Sequence, residues 1–328
     1  MPFRRSRPAP ILTRDDVPDL APHFVDVSSV FNPGAIRDGD LTRLLLRVQN
    51  RGRETFLLPA SSTDGTRFEV ATRAVTIEGL DRAGERIYHV YDPRLTRIDS
   101  TIYVMFAADV EGGCRLGVAR ASHDLTRLEL IGLGEERDVR NGVLFPQTFD
   151  GRYLRLDRPN EVELSGGVKT GDAIRLSQSD DLVTWTPVAP AMRGRWHYWD
   201  ELIGAGPPPL RTRHGWLLVY HGVATHLNAG IYQAGVALLD LDDPSKVIAR
   251  GSQNVLEPRE AYELTGQVPN VVFPSGLTVD RSTPDGTATD DATVFLYYGA
   301  ADTVVGLATA TVAELIDDCH VPPNHADR

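Results

Sequence analysis

Apolar positions along the chain come in short runs bounded by glycine, proline and aspartate. The clearest are Leu44-Leu45-Leu46-Arg47-Val48, Ile102-Tyr103-Val104-Met105-Phe106, Leu116-Gly117-Val118-Ala119, Leu217-Leu218-Val219-Tyr220 and Val294-Phe295-Leu296-Tyr297-Tyr298. Runs this short, rich in β-branched and aromatic residues, predict strands. Helical periodicity is nearly absent, and its best candidate is Val312-Ala313-Glu314-Leu315-Ile316 near the C-terminus.

The strands group into units of one grammar: a proline, a short strand, a tight turn, a second strand and further short strands. The marker prolines are 33, 93, 146, 208 and 274, spaced by 60, 53, 62 and 66 residues. A repeat of that length holds four short strands with their turns, which is one propeller blade. A pair of β-sandwiches is the rival architecture, but it gives no reason for five equivalent starts. The pattern therefore predicts an all-β, five-bladed β-propeller. It fills residues 1–328 as a single domain, with an N-terminal arm at 1–23 and a C-terminal tail at 319–328.

Inner strands of a propeller begin near its axis, so equivalent starts converge on one funnel. Asn32, Asp92, the loop near Phe145, the Pro207–Pro209 loop and Phe273 are expected there. Asp92 stands out because Pro93 bars it from helical backbone and so should fix its carboxylate at the start of a strand. Residues closing the inner strands add Arg158, His221 and Asp302, with Arg47, Arg211, Tyr91 and Tyr232 nearby. Carboxylates with aromatics suit a sugar, and clustered cations suit a phosphate or carboxylate.

Composition narrows the classes. With 41% hydrophobic and 24% charged residues, the 328-residue chain reads as globular. A formal charge of −11 speaks against nucleic acid as a partner, because phosphate-backbone affinity needs clustered cations. No apolar run approaches the length of a membrane span. The basic start, Met1-Pro2-Phe3-Arg4-Arg5-Ser6-Arg7-Pro8, lacks the hydrophobic core of a signal peptide. Cys114 and Cys319 are the two cysteines, so a disulfide framework is not expected and the cytoplasm is the default compartment. No metal-ligand spacing, phosphate loop or nucleophile elbow is found, and no cofactor is expected. Homo-oligomer formation is left open.

At these residues the chain resembles glycoside hydrolase family 130, the mannoside phosphorylases and related β-mannosidases. The motifs that carry the resemblance are Asp92-Pro93-Arg94, Leu144-Phe145-Pro146, Asp150-Gly151-Arg152-Tyr153 with Arg158-Pro159, and Ser179-Asp180-Asp181-Leu182. They continue with Ile203-Gly204-Ala205-Gly206-Pro207, Tyr220-His221-Gly222, Asn270-Val271-Val272-Phe273-Pro274 and Tyr297-Tyr298-Gly299-Ala300-Ala301-Asp302. The resemblance implies a five-bladed propeller and a general acid at Asp92 acting through the mannosyl 3-hydroxyl. It implies sugar contacts from Asn32, Tyr91 and Asp302, to which Arg94, Asp181 and Phe273 are added. It implies phosphate contacts from Arg158, His221 and Tyr232, with Arg211 standing where lysine is usual. Inorganic phosphate would be a co-substrate, attacking C1 with inversion to give α-mannose 1-phosphate and a shorter acceptor.

An anionic nucleophile needs no general base, whereas inverting hydrolysis needs a second carboxylate to activate water. Departures at Phe56, Gln147 and Gln178 keep an inverting β-mannosidase as the alternative, with Glu201, Glu260 or Glu263 as base. A non-catalytic sugar-binding propeller is the reading from another class. As a general acid, Asp92 is expected to have a pKa raised by the enclosed funnel and by Asp302, against the opposing pull of Arg94.

Overall fold

Each marker proline but one lies inside the innermost strand of a sheet rather than ahead of it. The computed structural model describes residues 1–19, 25–164, 167, 169–226 and 229–322. Residues 20–23 of the expected arm and 323–328 of the expected tail lie outside the described residues. Inner strands run Val27–Asp38, Ile87–Ile98, Val139–Phe149 and Val272–Val279, containing Pro33, Pro93, Pro146 and Pro274. In the fourth sheet Leu202–Ala205 and Leu210–Thr212 share this position, and the Gly206–Pro209 stretch interrupts them.

The physical reason is visible in the register. Pairing with the second strand slips between Phe31 and Gly34, Tyr91 and Arg94, Leu144 and Thr148, and Pro274 and Gly276. Proline cannot donate to a ladder, so within a sheet it settles at bulges. Each proline thus bends its inner strand halfway along and leaves unpaired backbone facing the axis. Asp92 is therefore at a mid-strand bulge, not at a strand start as the dipeptide suggested.

Five antiparallel sheets of four principal strands follow in chain order, which is the propeller expected from the repeat. Blade 2 gains Thr76–Glu78, paired in parallel with its outermost strand Arg127–Arg137. Blade 5 is completed from the other end of the chain: Arg4–Arg5 pairs with Val304–Thr311 and closes the ring. The Arg5 guanidinium donates to the fully buried Glu263 at 2.8 and 2.6 Å, fastening that closure. Glu263 belongs to a short helix, Ala261–Leu264, that the sequence did not announce.

The core is divided among the interfaces between blades. Leu45, Leu57, Leu95 and Phe106 join blades 1 and 2; Met105, Val118 and Leu144 join 2 and 3. Val143, Phe145 and Trp216 join 3 and 4; Leu217, Val236 and Leu296 join 4 and 5; Leu46, Tyr297 and Leu307 join 5 and 1. Phe145 is thus core rather than funnel. The expected C-terminal helix spans Val312–Cys319 and starts at a capping box, with Thr311 and Glu314 bonding each other's backbone N–H groups. No helix among the described residues is long and apolar enough to cross a membrane.

Candidate active site

A cavity of about 520 Å³ opens at the axis, and all five blades contribute to its wall. Eight of the residues singled out from the sequence line it: Asn32, Arg47, Tyr91, Asp92, Arg158, Tyr232, Phe273 and Asp302. Arg53, Arg140, Asn141 and Asp109 join them.

Asp92 has φ +54°, a left-handed conformation that Asp and Asn tolerate better than most residues. The bulge delivers its carboxylate to the cavity floor, where Oδ1 accepts from Asn32 Nδ2 at 3.1 Å and from Arg47 Nη1 at 3.2 Å. Asn32 occupies the same bulge in blade 1, sixty residues earlier. Its approach depends on Gly299, where a Cβ would lie 2.9 Å from the Asn32 backbone nitrogen. Arg47 is held over the rings of Phe31 and Tyr91, and the Tyr91 hydroxyl donates to Asp109 at 2.7 Å.

The electrostatics reverse one expectation. Burial alone would push Asp92 up, but Arg47 and Arg94, helped by the Asn32 hydrogen bond and by Arg140, hold it below the ordinary carboxylate value. Asp302 is the carboxyl that rises, to about 6, through burial and the neighbouring Asp92 charge, with Arg47 opposing. The pair therefore divides one ionised and one readily protonated member, in the order opposite to that read from the sequence.

Across the cavity lies a cationic wall. Arg140 and Arg158 sit directly opposite each other on the paired strands Val139–Phe149 and Arg152–Pro159. Like charges opposed in a sheet repel, and among the described residues neither guanidinium makes an ion pair with a carboxylate. Arg158 is held instead by Asn160 Oδ1, at 3.2 and 3.1 Å, and by a 3.4 Å contact with His221 Nε2. Burial, with Arg140 adding to it, lowers Arg158 to about 10. Burial and the nearby Arg158 and Arg94 keep His221 far below its usual value, so its imidazole is neutral and Nε2 accepts from Arg158. Arg140 Nε, Asn141 Nδ2 and His221 Nδ1 are buried without partners. Gly204 makes this crowding feasible, since a Cβ there would meet His221 Cε1 at 2.4 Å and Asn141 Nδ2 at 2.5 Å. Two facing cations with orphaned donors beside them form a receptacle for an anion.

Four expected residues stand elsewhere. Arg94 is fully buried behind the wall: Nε donates to Gly206 O at 2.8 Å, and Nη1 lies 3.3 Å from Asp92 O. It ties blade 2 to blade 4, lies against the Asp92 backbone and does not line the cavity. His221 is also fully buried, stacked on Tyr232, tilted against Phe273 and in contact with Arg158. Asp181 caps an outer turn, accepting from the Val183 and Thr184 N–H groups at 2.8 and 2.7 Å, which lowers it to about 2. Arg211 pairs with Asp285 at 3.0 Å on the strand Leu210–Thr212, away from the cavity.

None of the carboxylates considered as a hydrolytic base reaches the cavity. Glu263 is bound by Arg5 and Tyr298, Glu260 belongs to the capping box of the short helix, and Glu201 accepts from the Thr225 hydroxyl. Arg140 and Asn141 were missed because no proline flags them. The available signal was the pair Asn141-Gly142, with Asn141 at φ +54°.

Comparison with known proteins agrees with this geometry. The family model described as β-1,4-mannooligosaccharide phosphorylase, glycoside hydrolase family 130, matches residues 4–320. A β-1,4-mannooligosaccharide phosphorylase of Ruminococcus albus is 31% identical over 316 residues, covering 94% of this chain and 88% of the relative. A β-1,2-mannobiose phosphorylase of Thermoanaerobacter sp. is 32% identical over 323 residues, covering 90% and 96%. The solved structure of β-1,2-mannobiose phosphorylase from Listeria innocua superimposes with a TM-score of 0.79 over 98% of this chain and 100% of that one. At 24% identity that likeness speaks for the fold. The chain belongs to glycoside hydrolase family 130.

Proposed function

We propose that this protein cleaves β-mannosides by inverting phosphorolysis, with the whole propeller as one catalytic unit. The observation that carries the reading is the facing pair of the half-buried Arg140 and the buried Arg158, lining the cavity without a carboxylate ion-pair partner among the described residues and across from Asp92. The relatives' activities support it, since both curated relatives are named as phosphorylases of β-mannosides.

Inorganic phosphate lies between the two guanidiniums, with Asn141 and Tyr232 beside it. The mannosyl unit rests against Asn32, Tyr91, Phe273 and Asp302. A phosphate oxygen lone pair forms the new bond to C1 as the glycosidic C1–O bond breaks on the opposite face. The leaving oxygen takes a proton that Asp92 delivers through the sugar 3-hydroxyl, giving α-mannose 1-phosphate and a shortened acceptor. Asp92 is ionised in the empty cavity, so it acquires this proton in the loaded state. A bound phosphate offsets the arginine field that holds it down, and the sugar removes water from around it. The scheme uses phosphate as co-substrate and requires no cofactor. We place the reaction in the cytoplasm, in keeping with two free buried thiols, Cys114 and Cys319.

Incubating the protein with β-manno-oligosaccharides, with and without phosphate, tests the reading. Phosphate-dependent mannose 1-phosphate is expected. Free mannose released at a phosphate-independent rate refutes it.

A further inference from the structure

The catalytic cavity has a neighbour of different chemistry. Thr55 and His89 border both it and a second cavity of about 490 Å³. This second space lies between the third strand of blade 1, at Phe56 and Leu57, and the inner strand of blade 2, at Ile87 and Val90. Where arginines and aspartates dominate the catalytic cavity, the groove is lined mainly by aliphatic and aromatic side chains, with Asp81, Glu85 and Arg86 also present.

Tyr88 is the feature that suggests an occupant. The ladder between Ile87–Ile98 and Thr101–Val110 slips between Ile87 and His89, so Tyr88 is the extra residue of a bulge. Bulges re-aim side chains, and this one leaves a large ring 49% exposed. The Arg86 guanidinium lies 4.9 Å from the ring centroid and steadies it. Half-exposed tyrosine rings beside an apolar floor suit a ligand with both C–H faces and hydroxyls.

The position of the groove fits the reaction. Arg140 and Arg158 belong to blade 3, and Tyr232 to blade 4. In a ring of five, the side facing blades 3 and 4 is blade 1. Inversion puts the nucleophile and the leaving group on opposite faces of C1, so a phosphate at blades 3 and 4 sends the acceptor toward blade 1. The groove opens on that side.

We infer that the groove between blades 1 and 2 holds the substrate beyond the cleaved bond, as the distal sugar units of a β-mannoside chain, with Tyr88 as their stacking surface. This rests on the phosphorolysis proposed above. It makes Tyr88 a determinant of chain length and the enzyme selective for oligosaccharides over disaccharides.

The test is kcat/KM at saturating phosphate for β-mannobiose and β-mannotetraose, 1,2- and 1,4-linked, with wild type, Tyr88→Ala and Tyr88→Phe. Wild type is expected to favour the tetraose. Tyr88→Ala is expected to cut the tetraose-to-biose ratio by about threefold to tenfold, the worth of one aromatic contact, while Tyr88→Phe keeps it. Equal kcat/KM for both lengths in wild type overturns the inference, as does an unchanged ratio in Tyr88→Ala. An octyl β-mannoside that outperforms the tetraose in wild type, but not in Tyr88→Ala, also overturns it by making the occupant an alkyl chain. Absence of phosphate-dependent turnover with either length refutes the phosphorolysis itself rather than the groove.

Discussion

Replacing Asp92 by asparagine should move turnover and phosphate affinity in opposite directions. Asparagine has the same size and tolerates the left-handed backbone at φ +54°, so the bulge survives. It can still accept from Asn32 Nδ2, now 3.1 Å from Oδ1. The variant loses a transferable proton and one negative charge from a cavity that also holds Arg47, Arg53, Arg140 and Arg158. Loss of the proton donor should lower kcat by at least ~10²-fold, the low end of general acid–base contributions. Loss of the charge should tighten phosphate. A unit charge pair ~8 Å apart at an effective dielectric of ~40 is worth about 1 kcal/mol, or roughly fivefold in affinity. Phosphate titration by calorimetry and steady-state kinetics on one preparation measure both. A β-mannoside with a strongly acidic leaving group should be spared much of the kcat loss, because it departs with little protonation. Turnover within tenfold of wild type would remove Asp92 from the acid role. Weaker phosphate binding at preserved thermal stability would refute the electrostatic map of the cavity.

Three further outcomes follow from the same map. Arg158→Met should raise the phosphate KM by about tenfold or more, since a charged hydrogen bond is worth roughly 1.5–3 kcal/mol. Its Tm should hold or rise because the repulsion from Arg140 is relieved; an unchanged phosphate KM sinks the assignment. Asp302, raised to about 6 from 3.8, binds its proton more tightly folded than unfolded, so it should cost stability as pH climbs from 4 to 7. That cost is on the order of 2 kcal/mol; denaturant unfolding at the two pH values should show it in wild type and not in Asp302→Asn. Glu263→Gln should lose about 1.5–3 kcal/mol of stability by removing the charge that pairs the half-buried Arg5. It should keep kcat per folded molecule, and a collapse of kcat in folded protein would revive Glu263 as a base.

The architecture was legible because one local device recurs. A proline marks a bulge in the inner strand of four blades and the interruption of the inner strand in the fourth, and its recurrence at intervals of 53–66 residues gave away the blades. The bulge also explains the error at Arg94. An inserted residue shifts the alternation of faces, so the residue after Pro93 turns into the interface between blades while Asp92 turns to the axis. Asp181 failed for the converse reason. Ser-x-Asp occurs at Ser62–Asp64, Ser122–Asp124 and Ser179–Asp181, and in each copy the serine and aspartate oxygens accept the N–H groups of the same outer turn. A residue needed once for chemistry does not recur in three blades, so that repetition already marked it as structural.

Strained backbone carried by short polar residues recurs in the turns of this fold, and three cavity residues share it. Asp92, Asn141 and Asp302 line the cavity with positive φ, as does Asn270 beside the lining residue Val271, and Asn270 and Asp302 flank the inner and second strands of blade 5. Such conformations cost energy and persist where surrounding structure enforces them. In the sequence they show as Asp or Asn beside a proline, a glycine or the end of an apolar run: Asp92-Pro93, Asn141-Gly142, Pro269-Asn270 and Ala301-Asp302. Proline was read as the marker, and so the Asn141-Gly142 member went unseen together with its neighbour Arg140. The facing of Arg140 and Arg158 could not have been read at all, because it depends on how two bulges set the register of one hairpin. A one-residue slip there would leave the two guanidiniums on opposite faces of the sheet. The facing of the two cations is therefore a property of register, set by the proline-free bulge at Asn141-Gly142 much as the bulge at Pro93 sets Asp92.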